Sequence, residues 1–173
     1  MKCECGGELR RVVLDEYDFS AEAGLPVKLR EVPALRCARC DEVVLEGAVA
    51  ELGLHLVGLA LVKQKELLRP EQAKYLRKLL GATQKELADR MSIARETVAA
   101  WECGQKTISP QHDYILRSLA VGNFMEELRA AVIAERAQIA AALGGVRSKE
   151  PSKRRTTLVV DHVRTQLEEQ HAA

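Results

Sequence analysis

The stretch Thr83 to Gly104, TQKELADRMSIARETVAAWECG, constrains this chain more than any other. It divides into two helix-length blocks joined at Met91-Ser92-Ile93. Thr83 followed by Glu86 is a capping-box pattern, in which the hydroxyl accepts from a first-turn N–H and the carboxylate reaches back to the cap's own N–H. Leu87, Ala88 and Met91 then recur at helical spacing on one side. Val98 and Trp101 repeat the pattern in the second block, and Gly104 stands where a helix end takes positive φ. Two short helices crossing steeply over a tight turn make a helix-turn-helix.

The rest of the core must be built from Leu, Val, Ile and Ala, because aromatic residues are only 3 % of a chain that is 47 % hydrophobic. That favours helices. A formal net charge of +1 gives no overall basic signature, so a nucleic-acid face has to come from the placement of charge. The opening MKCECGGELRR carries no apolar segment of the signal-peptide kind. The longest uncharged run, Leu52 to Val62, is too short for a hydrocarbon layer of about 30 Å. A cytoplasmic protein is therefore expected, in which the five cysteines stay reduced.

Four of those cysteines fall in two pairs, Cys3/Cys5 and Cys37/Cys40, on either side of strand-like sequence. Glu8 to Leu14 reads as one strand and Asp15 to Pro26 as a turn-rich interval. Val27 to Leu35 reads as a second strand, with Val27, Leu29, Pro33 and Leu35 on the same parity. A segment this small cannot hold a core alone, and four thiolates meet the tetrahedral preference of zinc. A structural Zn2+ on Cys3, Cys5, Cys37 and Cys40 is the leading reading. A metal-free thiol cluster and a redox pair are the alternatives. The second pair has the usual two-residue spacing of a zinc knuckle, and the first is one residue shorter. No histidine lies near to activate a thiol, and a four-cysteine site leaves no open position for water, so no enzyme is expected.

Gly47 to Leu68 reads as a long helix, apolar nearly all round, hence buried between domains or in a dimer. Gly53 and Gly58 permit close packing there, and His55 reads as a packing histidine. Pro70 suits a first helical position, followed by a helix Glu71 to Leu80 with Ala73, Leu76, Leu79 and Leu80 inward and Gly81 at its end. Thr107 to Pro110 reads as a loop ending in an N-cap serine and an N1 proline, before a helix to about Leu119 that stops near Gly122. Asn123 then caps a further helix, Phe124 to Leu143. Its seam of Met125, Leu128, Val132, Ile139 and Ala142 either packs back on the chain or dimerises. Gly144 to Thr157 is a basic linker, and Leu158 to Val163 a candidate strand.

The fold class is thus mainly α. A small β-rich zinc-binding domain (1–46) is followed by a connecting helix (47–69), an all-α domain (70–122), and a helical C-terminal extension (123–173).

With L-R-K-L-L-G at 76–81, T-Q-K-E-L-A at 83–88 and T-V-A-A-W-E-x-G at 97–104, residues 74 to 119 resemble the Xre/Cro-type helix-turn-helix family, of lambda-repressor-like fold. Joined to the cysteine pairs, residues 1 to about 122 resemble MqsA-type antitoxins, which carry a YgiT-type zinc finger. The resemblance implies a transcriptional repressor acting as a homodimer on a pseudo-palindromic operator in double-stranded DNA. It also implies the alternative of an antitoxin that neutralises a toxin protein through the zinc domain and autoregulates its operon.

A recognition helix about Ala94 to Cys103 presents its first residues to base edges. Arg95 can donate two bonds to guanine, Glu96 can accept from cytosine N4, and Thr97 can meet a thymine methyl or a phosphate, with Ala100 one turn on. MqsA-type antitoxins have Asn and Arg where this chain has Glu96 and Ala100, so their operator is not expected to be read here. Gln84 matches the family's phosphate contact. Lys85 and Lys106 are either phosphate contacts or solvated surface. Arg77 and Glu102 match an ion pair buried in phage-repressor relatives. Trp101 reads as core and Cys103 as an incidental thiol.

Overall fold

The computed structural model describes residues 1–127 and 157–160. Strand β1 (Leu9–Asp18) and strand β2 (Val27–Cys37) form a long antiparallel hairpin, in register from Leu9↔Cys37 to Asp18↔Lys28. The strand β1 runs four residues past the expected end at Leu14. Its acidic end, which by composition reads as turn, finds partners across the hairpin: Tyr17 lies opposite Leu29, and Glu16 pairs with the Lys28 ammonium at 2.5 Å. Tertiary pairing overrides weak strand propensity here.

The hairpin returns through a single helical turn, α1 (Ser20–Ala23), ended by Gly24 at φ +68°. The Val27 N–H donates to the Ser20 hydroxyl at 3.1 Å, and the Phe19 N–H donates to the Val27 carbonyl at 3.0 Å. Phe19 itself is fully buried.

The expected alternation along β2 is broken at Glu31, which sits at φ +53°. A left-handed residue interrupts the pleat. Val27 and Leu29 are buried before it, Val32 and Ala34 after it, and Leu35 and Cys37 beyond. Pro33, expected on the inward parity, is only half-buried.

Strand β3 (Val43–Val44) pairs antiparallel with Leu35 and Arg36. Strand β4 (Leu158–Val160) realises the first half of the strand expected over 158–163 and pairs parallel with Val27–Leu29. The rest of that segment, the basic linker and the apolar seam from Met125 to Ala142 lie outside the described residues and side chains.

Helix α2 (Gly47–Lys63) crosses the sheet with ten of its residues buried, which explains its apolar character on every side. It lies between the sheet and the helices that follow, packing on β2 and β4 and on α3 and α6. Gly53 permits the close approach: a Cβ there would meet Leu29 Cδ1 at 3.0 Å and Phe19 Cζ at 3.1 Å. His55 is buried, with Nδ1 at 3.0 Å from the Glu51 carbonyl.

The helix expected to reach Leu68 ends instead at Lys63. Residues 64–69 form a connector held by the fully buried Arg117, whose guanidinium donates to the carbonyls of Leu61, Val62 (3.1 Å), Gln64 (3.0 Å) and Glu66 (2.7 Å). Its Nε lies 2.9 Å from Asp113 Oδ2, and Asp113 also accepts from the Leu68 N–H at 2.9 Å. A side chain from elsewhere replaces the helix's own next turn.

Helices α3 (Pro70–Leu79), α4 (Gln84–Met91), α5 (Arg95–Glu102) and α6 (Pro110–Glu127) complete the described chain. Pro70 is the first residue of α3 and Gly81, at φ +63°, follows its end. In α3, Ala73 and Leu76 are buried as expected and Tyr75 joins them, its hydroxyl donating to the Leu54 carbonyl at 2.6 Å. The Ser109 hydroxyl accepts from the His112 N–H at 3.3 Å at the start of α6. That helix runs straight through Gly122 and Asn123, so neither the stop nor the new cap expected there is formed. One glycine costs a helix only about 1 kcal/mol.

Candidate nucleic-acid interface and metal centre

The four expected cysteines converge. Cys3 Sγ lies 3.7 Å from Cys40 Sγ, Cys5 Sγ lies 3.5 Å from Cys37 Sγ, and all four sulfurs are within 4.8 Å of one another. Four thiolates about 2.3 Å from a tetrahedral zinc would stand about 3.8 Å apart, so the cluster fits such an ion.

The shortened first pair is accommodated by the two glycines behind it. Gly6 takes φ +81° and donates to the Cys3 carbonyl at 2.8 Å, while the Gly7 N–H points at Cys5 Sγ at 3.4 Å. The second pair uses a matching turn, with Asp41 at φ +57° after Cys40 and the Arg39 N–H on Cys37 Sγ at 3.4 Å. Gly7 has a second duty that spacing alone did not reveal. A Cβ on it would lie 2.6 Å from Cys37 Sγ and 2.8 Å from Arg39 Cβ, so only glycine lets the two turns meet. The Arg39 guanidinium ties them further by donating to the Cys5 carbonyl at 2.9 Å.

The backbone N–H groups of Arg39 and Cys40 draw the Cys37 thiol down to about 6, making it the readiest to give a thiolate. At Cys3 the Cys5 N–H acts the same way, but the Glu42 carboxylate 3.2 Å away and burial raise the thiol to about 11. Cys103 takes no part: it is exposed at the end of α5, with Sγ 3.6 Å from the Ala100 carbonyl.

The second site is α4, a turn and α5. Thr83 and Glu86 form the expected reciprocal cap, Glu86 N–H to Thr83 Oγ1 at 3.2 Å and Thr83 N–H to Glu86 Oε2 at 2.7 Å. Leu87, Ala88 and Met91 are buried, as are Val98 and Trp101 from α5. Ser92 takes φ +54° and closes α4 through its N–H on the Asp89 carbonyl, so the chain turns within Met91-Ser92-Ile93. Gly104, at φ +76°, ends α5.

This geometry leaves Ala94, Arg95 and Glu96 exposed at the start of α5, with Thr97 and Ala100 half-buried beside them. Lys85 is exposed in the first turn of α4. Lys106 is exposed too, but its N–H bonds to the Ala100 carbonyl just past the far end of α5. Arg95 and Lys106 are therefore separated by the helix's length, about 12 Å.

Gln84 is not the free surface side chain its position at a helix start suggests. It is half-buried, and its amide donates to Glu102 Oε2 at 2.9 Å. Glu102 in turn receives a two-pronged ion pair from Arg77, Nε to Oε1 at 2.5 Å and Nη2 to Oε2 at 3.0 Å. Arg77 also donates to the Ala82 carbonyl at 2.7 Å, at the entry to α4. Burial alone would raise the Glu102 carboxyl, but the hydrogen bonds from Arg77 and Gln84 and the Arg77 charge outweigh it and hold it below its ordinary value. One carboxylate thus fixes α3, α5 and the first residue of α4 together.

Among the described residues no helix is long and apolar enough to cross a membrane. No curated protein and no solved structure matches the chain. Residues 74–112, from the middle of α3 to the start of α6, match the family model described as helix-turn-helix, and this supports a DNA-binding transcriptional regulator.

Proposed function

We propose that this protein is a sequence-specific DNA-binding transcriptional repressor that acts as a dimer on a pseudo-palindromic operator and has no enzymatic activity. The observation that carries the reading is the exposed row Ala94-Arg95-Glu96 at the start of α5, held in place by the Arg77–Glu102–Gln84 network behind it. Arg95 and Glu96 are the base-reading pair, to guanine and cytosine, and Thr97 and Ala100 shape the fit to the next bases. Lys85 and the backbone at the start of α4 set the register on phosphates, and Lys106 reaches a phosphate from the far end of α5. Selection of bound DNA from a random pool tests it. The expected product is an inverted repeat with half-sites about 34–36 Å apart centre to centre. Recovery of no enriched motif at moderate salt rejects the proposal.

The metal in this reading is Zn2+, held by Cys3, Cys5, Cys37 and Cys40 with no catalytic part. Its chemistry is to replace, by thiolate bonds, the core that the open end of the β1–β2 hairpin lacks.

One observation favours a second role as a toxin-neutralising antitoxin. Among the described residues the outer edge of β1 is paired to no strand beyond Leu9, whose N–H is taken by the Met1 carbonyl at 3.1 Å, and on that edge a partner's strand could form. Co-expression with the product of the adjacent gene tests this: relief of that product's toxicity, lost when β1 is interrupted by proline, is the expected result.

A further inference from the structure

The edge of β2 that faces away from β1 is divided into two short acceptor sites. Near its end, Leu35 and Arg36 take β3. At its start, Val27–Leu29 take β4 in a parallel ladder that opens with the Leu158 N–H on the Pro26 carbonyl at 3.0 Å. Between them Glu31, at φ +53°, and Pro33, which has no N–H, prevent one strand from running the whole edge. The first site has a definite specificity. It takes an extended segment with apolar first and third residues: Val160 is buried in the core, Leu158 packs partly against it, and Val159 is 40 % exposed.

Among the described residues β4 packs on β2 and α2, elements complete by Lys63. The described end of α6 is Glu127, and residues 128–156 separate it from the strand. A connection of this many residues is chain enough to reach the acceptor of a neighbouring copy as well as its own. The neighbour's acceptor offers the same register, the same carbonyl and the same apolar contacts.

We propose that Leu158–Val160 is exchanged between two copies of this chain, each strand completing the other's sheet at Val27–Leu29. The exchange keeps the described contacts of β4 and gives the two copies a reciprocal link, as in other swaps of an identical element. This supplies the pairing that a two-half-site repressor needs, and to that extent rests on the reading above. Its test uses no DNA, so the two stand or fall separately.

The experiment mixes isotope-labelled and unlabelled full-length protein, unfolds and refolds them together with zinc, and records half-filtered NOEs alongside the mass in solution. The expected result is a dimer with intermolecular NOEs between Lys28 and Val159, which lie opposite in the register. Val160→Asp should convert the dimer to a monomer, with at least a tenfold rise in the dimer dissociation constant. Its zinc content and the helical circular dichroism of α3 to α6 should be unchanged, which separates a lost link from a failure to fold. A protein that stays monomeric at 100-fold its working concentration overturns the proposal. So does a dimer whose Lys28–Val159 NOEs are purely intramolecular, or one that Val160→Asp leaves intact.

Discussion

Single residues decide both sites. Gly7 lies where any side chain collides with the Cys37 sulfur, so Gly7→Ala should loosen the cluster by the cost of overpacking, about 1–3 kcal/mol. Competition with a chromophoric chelator checks this, as a fall of about 5- to 150-fold in zinc affinity. Gly6→Ala, which meets nothing within 4 Å but sits at φ +81°, should cost only about 1 kcal/mol. In the helix-turn-helix the corresponding residue is Glu102. Its side chain is only 5 % exposed against Arg77, and Glu102→Ala should destabilise by about 3 kcal/mol in denaturant unfolding by leaving a guanidinium without its carboxylate. Because its folded pKa lies below the ordinary value of 4.5, its stabilisation is fully present above pH 4.5 and is lost as the pH falls through the lowered value. The wild type should therefore lose more stability than Glu102→Gln over that acid interval.

At the scale of elements, the sequence was legible where periodicity and caps agree and misleading where an element ends on a distant partner. The capping box at Thr83/Glu86, the Pro70 start and the Gly81 and Gly104 ends are local chemistry, and each forms as read. The end of α2 is not local. Nothing between Lys63 and Leu68 forbids helix, and the connector is set by Arg117, more than fifty positions on. Arg117→Met should take the guanidinium away from the buried Asp113 carboxylate, destabilising by about 3–5 kcal/mol. Hydrogen exchange should then show loss of protection first at the Leu68 amide. Likewise β1 outruns its strand-like composition because β2 is there to pair with it, and α6 passes Gly122 because a single glycine is a weak stop.

At the scale of the molecule, the sheet and the helices share one core. Buried residues run without a break from Phe19 and Leu29 through Leu56, Leu59 and Leu61 of α2 to Leu76, Trp101 and Leu116. Segments that read as separate units, 1–46 and 70–122, are thus joined across α2, whose residues are buried against both. Scanning calorimetry of the zinc-loaded protein should give one transition with equal calorimetric and van't Hoff enthalpies. Two resolved transitions would show instead that α2 does not couple them. Gly53→Ala, by prising α2 off Phe19 and Leu29, should lower that single transition by about 1–3 kcal/mol of stability.

What the sequence alone determined is what short-range chemistry controls. It set the thiols that can meet one ion, the caps and apolar stripes of α3, α4 and α5, and the exposed residues at the start of α5. Only the tertiary structure decided what depends on residues far apart meeting. Gly7 became indispensable because Cys37 arrives beside it. Gln84 was drawn inward because Glu102 lies within hydrogen-bond reach. Leu158–Val160 became a strand because β2 had an open edge at Val27–Leu29. A local pattern states what a segment can do, and the partner brought to it by folding selects which of those it does.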